Sequence, residues 1–163
     1  MNPVFQMPPD RLESGLRALV DADLFVGRGQ PPDALYSFRH ALVQDAAYST
    51  LLRDRRRTLH ARVAQALGRD SAMDAEPELL AYHFTEAGMP DQAIDYHQKA
   101  ADRAMARSAV AEMVSHLHRG LGLLSEQPDT AENRRRELTL QIALGRGLID
   151  SVSSASDTAH SAF

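Results

Sequence analysis

The residues of this chain that could do acid–base or anion chemistry are its histidines and arginines, and their spacing decides how much of that chemistry is open to it. Seven histidines stand among 163 residues with no cysteine, which excludes thiol nucleophiles, a disulfide framework and cysteine-ligated zinc. His116 and His118 are two apart, on different sides of a helix and not at the i, i+4 spacing at which two imidazoles share a metal. His83 and His97 could meet across a helical hairpin, but the plainer reading packs both with their polar edges exposed, and no metal site is assigned. Serine, histidine and aspartate are all present, yet no GxSxG context joins them into a nucleophile and base. No GxxxxGK[ST] stretch exists to cradle phosphates; Gly27-Arg28-Gly29 and Gly145-Arg146-Gly147 are only paired glycines. No catalytic residue is assigned, and the chain is not read as an enzyme by itself.

Arg53, Arg55, Arg56 and Arg57 form the densest charge group. Such a group could neutralise a few phosphates, with affinity that falls steeply with salt. Asp54 interrupts the run and no aromatic residue is interleaved, so a helix junction in contact with another domain is favoured over nucleic acid. A DNA-binding transcriptional regulator is the alternative reading. Arg134 to Arg136 open an otherwise acidic helix and read as a surface face.

The elements that must hold these residues are mostly helical. Pro8 and Pro9 suit a first helical turn, and Leu12, Leu16, Leu19 and Val20 recur at helical spacing to about Asp23. Leu24 to Val26 and Ala34 to Phe38 are β-prone runs separated by Gly27, Gly29, Pro31 and Pro32, the punctuation of a hairpin. From His40 the period turns helical, with Leu42, Ala46, Tyr48, Leu51 and Leu52, then Leu59, Val63, Ala66 and Leu67, on the expected apolar faces. Four further helices are expected. The first opens at Glu76-Pro77 and closes at Gly88, the second starts at Asp91, the third is capped by Ser108, and the fourth starts at Asp129 with Glu132. Leu138, Ile142, Leu144 and Leu148 give the fourth its apolar face, and Thr158 to Phe163 read as the start of another helix, so a chain cut at both ends is expected.

The expected fold class is mainly α: a partial winged helix with a short β-hairpin, then antiparallel helical hairpins. The domains are residues 1–68, winged-helix end and junction helices; 69–75, linker; and 76–163, repeats. Up to Asp70 the chain carries 10 Arg and Lys against 8 Asp and Glu, and beyond it 8 against 14, an imbalance too small to name a partner. No apolar run approaches the roughly 18 residues of a membrane span, and the absence of cysteine suits a reducing cytosol.

Ala81, Phe84, Gly88, Ala93 and Ala100 fall at the small and aromatic spacings of a tetratricopeptide repeat, where small residues let two antiparallel helices approach. The stretch FRHALVQDAAYSTLLRDRRRTLHARVAQAL, followed by ELLAYHFTEAG, resembles the junction in bacterial signal-transduction ATPases with numerous domains (STAND), especially those associated with adenylate or guanylate cyclase domains or with transcriptional effectors. The resemblance runs from about Leu12 to Leu148. It implies a winged helix and repeats placed after a nucleotide-binding module that carries ATP or ADP, with no cofactor held by this chain. It also implies an unidentified protein or small effector on the repeats, and it makes His40 a nucleotide sensor, its imidazole donating to a phosphate oxygen of ADP. The family motif has an acid where this chain has Ala41.

Overall fold

The computed structural model describes residues 7–30, 34–69 and 76–160, with side chains as far as residue 150. The tip of the hairpin loop, nearly all of the expected linker at 69–75 and the last three residues lie outside the described residues. The protein is mainly α: among the described residues seven helices accompany one two-stranded antiparallel hairpin. In chain order these are α1 (Pro9–Asp21), β1 (Phe25–Arg28), β2 (Leu35–Phe38), α2 (Ala41–Ser49), α3 (Arg53–Leu67), α4 (Pro77–Ala87), α5 (Pro90–Ala106), α6 (Val110–Ser125) and α7 (Ala131–His160).

Proline sets three of the helix starts. Pro9, Pro77 and Pro90 each occupy a first-turn position, where the missing N–H is one the helix would leave unpaired. The other boundaries correct the expected caps. Ser108 does not cap α6; it takes a left-handed conformation (φ 58°) and Ala109 is the N-cap residue. At α7 the hydroxyl of Thr130, not the carboxylate of Asp129, accepts from the Asn133 N–H at 3.1 Å. Helix α7 also continues to His160 without a break, so Thr158 belongs to it and not, as expected, to the start of another helix.

The hairpin pairs Phe25 with Phe38 and Arg28 with Leu35. Its two phenyl rings meet edge to face at 4.5 Å. Helix α1 reaches it directly, since the Leu24 N–H donates to the Leu19 carbonyl and the Arg39 N–H to that of Leu24. This part buries little: α1 and α2 contain no fully buried residue. Leu42 and Leu52, expected on packed faces, are 82% and 80% exposed.

From α3 onward each helix packs on the next in sequence. One core joins Ala64 of α3 to Leu80 and Phe84 of α4 and Ala93 of α5. A second joins Ile94, Ala101 and Ala104 of α5 to Met113, Leu117 and Leu124 of α6 and Leu140 of α7. Complete burial of Leu80, Ile94, Leu117 and Leu140 stabilises the array by roughly 1.5–3 kcal/mol each. Helix α3, grouped by sequence with the N-terminal part, is thus packed with the later helices. Its buried residues are His60 and Ala64 rather than the expected Leu59 and Val63, a turn of one residue about its axis. In α7 Leu140 is buried and the expected Leu144 packs against the same core, while Leu138, Ile142 and Leu148 are exposed.

Gly88 ends α4 in the left-handed region at φ 67°, and a Cβ there would enter the guanidinium of Arg57. Arg57 Nε donates to the Ala87 carbonyl at 3.3 Å, so the cation sits on the negative end of α4. Gly88→Ala is expected to cost about 1–2 kcal/mol, from the left-handed strain and the displaced arginine. Urea unfolding of the variant beside the parent measures it, and an unchanged midpoint would contradict this account of the turn.

Candidate functional site

Four of the histidines are built into the seams between successive helices. At the first seam, His60 of α3 and His83 of α4 meet Nδ1 to Nδ1 at 2.9 Å. His60 Nε2 lies 3.0 Å from the Tyr48 hydroxyl of α2. Burial pushes the Tyr82 phenol up, with Tyr48 and Glu86 adding to the effect. A Tyr48 hydroxyl that gives its proton to His60 Nε2 leaves the His60 proton on Nδ1, which donates to His83. The chain Tyr48–His60–His83 then runs in one direction, linking α2, α3 and α4.

The second seam fixes its proton positions without choice. Thr85 gives its hydroxyl proton to the Ala81 carbonyl at 2.7 Å, so toward His97 Nε2, 3.3 Å away, it can only accept. His97 therefore carries its proton on Nε2 and leaves Nδ1 bare. His116 of α6, 3.1 Å away, must donate to it from its own Nδ1. His97 is only 1% exposed, so both bonds are needed to keep its nitrogens satisfied.

Burial favours the neutral form of all four imidazoles. Burial lowers His97 to about 4, and the nearby His116 and Arg119 add to the effect. Burial likewise lowers His60, opposed by Glu86 and reinforced by Arg56. It lowers His83, reinforced by His60 and opposed by Glu86. It also lowers His116, where Glu78 opposes. Glu78 is itself held by Arg103 at 3.0 Å and Arg107 at 3.3 Å, which joins α4 to the end of α5. His83 and His97 do not meet across the α4–α5 hairpin: each pairs with a histidine from its other neighbouring helix. His97 does not keep a polar edge in water either.

The arginine group divides in two. Arg53, Arg56 and Arg57 line a recess with Tyr48, Thr85, Glu86 and Gly88, while Arg55 lines another with Phe38, Leu59 and Arg62. His40 stands where expected, between β2 and α2, at the N-cap position (φ −131°). Its side chain is exposed and does not cap the helix; its carbonyl accepts from the Val43 and Gln44 N–H groups. The repeat-like residues come together in the α4–α5 hairpin. Ala81, Ala93 and Ala100 are fully buried and Phe84 stacks on Tyr96 at 5.3 Å, with Gly88 at the turn.

A groove between α5 and α7, of about 350 Å³, has Ala101, Met105, Ile142 and Ala143 on its walls and Asp102, Arg146 and Asp150 among its charges. Burial raises Asp102. At its neighbouring end Arg136 clamps α7 to α5 through the Asp91 carboxylate at 2.9 Å and the Asp95 carboxylate. Among the described residues no group of three or more His, Asp or Glu could hold a metal ion. None of their helices is long and apolar enough to cross a membrane. Sequence reasoning missed His60 and Tyr48. The i, i+4 pair His60 and Ala64, continuing to Leu67, was the available signal for the packed face of α3.

The neutral imidazoles make stability depend on pH. For His97 the folded-state value lies near 4 against 6.5 in the unfolded chain. Its contribution is therefore complete above 6.5 and is lost as pH falls toward 4, about 3 kcal/mol in all. Gln at this position can donate to Thr85 and accept from His116 without titrating. Urea midpoints from neutral to acid pH should fall less steeply in His97→Gln than in the parent; parallel curves would contradict the assignment.

In comparison with known proteins the chain is similar to a small part of one much longer relative. No protein-family model and no solved structure matches it. An uncharacterized protein of Rhizobium meliloti (strain 1021) is 30% identical over 131 residues, covering 79% of this chain and 13% of the relative. The chain thus spans a small part of the length of the protein it is similar to.

Proposed function

We propose that the chain is the regulatory, effector- or protein-binding segment of a multidomain bacterial signal-transduction ATPase of the STAND type. In this reading it works in the cytoplasm and couples a helical-repeat sensor surface to an upstream nucleotide-switch module. The observation that carries the reading is the hydrogen-bonded chain at the first seam. Helix α2 begins directly after His40 and presents Tyr48, whose hydroxyl meets His60 at 3.0 Å. His60 in turn meets His83 on α4. A nucleotide at His40 and an effector on the array would then bias one seam from opposite sides. Each would change the affinity for the other by the same factor.

Two further features support this reading. Leu35, Leu42 and Leu52 are apolar side chains that the described residues leave exposed and that an adjoining module would cover. The groove between α5 and α7, with apolar walls and charges of both signs, offers a place for the effector. The nucleotide itself belongs to the upstream module, and the part of this chain in its chemistry is the imidazole of His40.

The test is ADP binding by the intact protein with its upstream module. His40→Ala is expected to weaken ADP about tenfold, the loss of one charge-assisted hydrogen bond. Equal affinity in parent and variant would overturn the role of His40.

A further inference from the structure

Arg53, Arg56 and Arg57 occupy positions i, i+3 and i+4, on one face of the opening turns of α3. Among the described residues none of the three makes an ion pair. Arg57 donates to the Ala87 carbonyl, Arg56 lies over the Tyr48 ring at 5.1 Å, and Arg53 is exposed. All three line the same recess, of about 390 Å³, whose remaining walls are Tyr48, Thr85, Glu86 and Gly88. Leu52, the N-cap residue of α3, offers no side chain to the first-turn N–H groups beside it. The guanidinium forks are hydrogen-bond donors facing the recess, while the Tyr48 hydroxyl proton is engaged with His60.

We propose that this recess binds the phosphate group of a small soluble molecule. The charges decide the class of ligand. Three arginines against Glu86 leave an excess of two positive charges on the wall, and a phosphate monoester carries nearly two negative charges at neutral pH. The planar guanidinium fork matches phosphate oxygens two at a time. The geometry also argues against a nucleic-acid backbone, which needs its cations along one track. Arg55 faces the other recess with Phe38, Leu59 and Arg62, and Glu86 stands in the path. A phosphate here would touch α2, α3 and α4 together, at the seam held by Tyr48 and His60. The site does not depend on what lies upstream of the chain.

The experiment is calorimetric titration of the 163-residue chain with inorganic phosphate and pyrophosphate at constant ionic strength. Arg53→Gln and Arg56→Gln should each weaken binding about tenfold. Glu86→Gln should strengthen it, and Arg135→Gln should leave it unchanged. The gain expected from Glu86→Gln keeps the test decisive even if an arginine variant disturbs folding. Absence of binding by both probes overturns the proposal, as does binding indifferent to Arg53 and Glu86. Binding of duplex DNA that pyrophosphate cannot displace would overturn it in favour of a nucleic-acid surface.

Discussion

The array depends on helices approaching closely enough that the polar side chains caught between them can reach one another. Alanine makes this possible: Ala64, Ala81, Ala93, Ala100 and Ala104 are essentially inaccessible to solvent and mark where one helix rests on the next. At such separations a buried imidazole loses its water and must find partners within the seam. His97 finds Thr85 and His116 on the two flanking helices, and His60 finds Tyr48 and His83 in the same way. Close packing and directed hydrogen bonding are therefore one constraint, met twice along the array.

These polar seams add definition rather than much net stability. A typical internal hydrogen bond is worth only about 1 kcal/mol, less than the burial of one leucine. A directional bond has one good register, however, whereas an apolar stripe tolerates sliding. The ion pairs on the outside act more weakly because water screens them. Arg136 is the exception in geometry, since it is mostly buried and reaches two aspartates and a backbone carbonyl of α5.

Much of this architecture was legible in the sequence, for identifiable reasons. Proline at the starts of α1 and α4 and glycine after α4 act through backbone sterics that need no tertiary context, and those boundaries were read correctly, whereas α5 starts at Pro90 itself, one residue before the expected Asp91. The hairpin likewise follows from its glycines and prolines. The misreadings arose where a choice depended on neighbours. Two adjacent faces of α3 are comparably apolar, and the small Ala64 together with His60 wins because α4 comes close. Leucines at 42, 52 and 138 have the right spacing for burial, yet no described element covers them. The candidate site was legible only as a list of residue types. That His83 bonds His60, that His97 bonds His116, and that one arginine of four turns away from its companions are results of helix rotation, which spacing does not determine.

Gly120 of α6 sits between two contacts: a Cβ added there would lie 3.3 Å from the Leu140 side chain of α7 and 3.7 Å from the Cβ of His97 on α5. The bare Cα of α6 thus faces both of its neighbours, with less room toward α7 than toward α5. A methyl group at this point would press on Leu140 while merely touching His97, so the gap holding Leu140 would widen before the gap holding the His97 and His116 rings is disturbed.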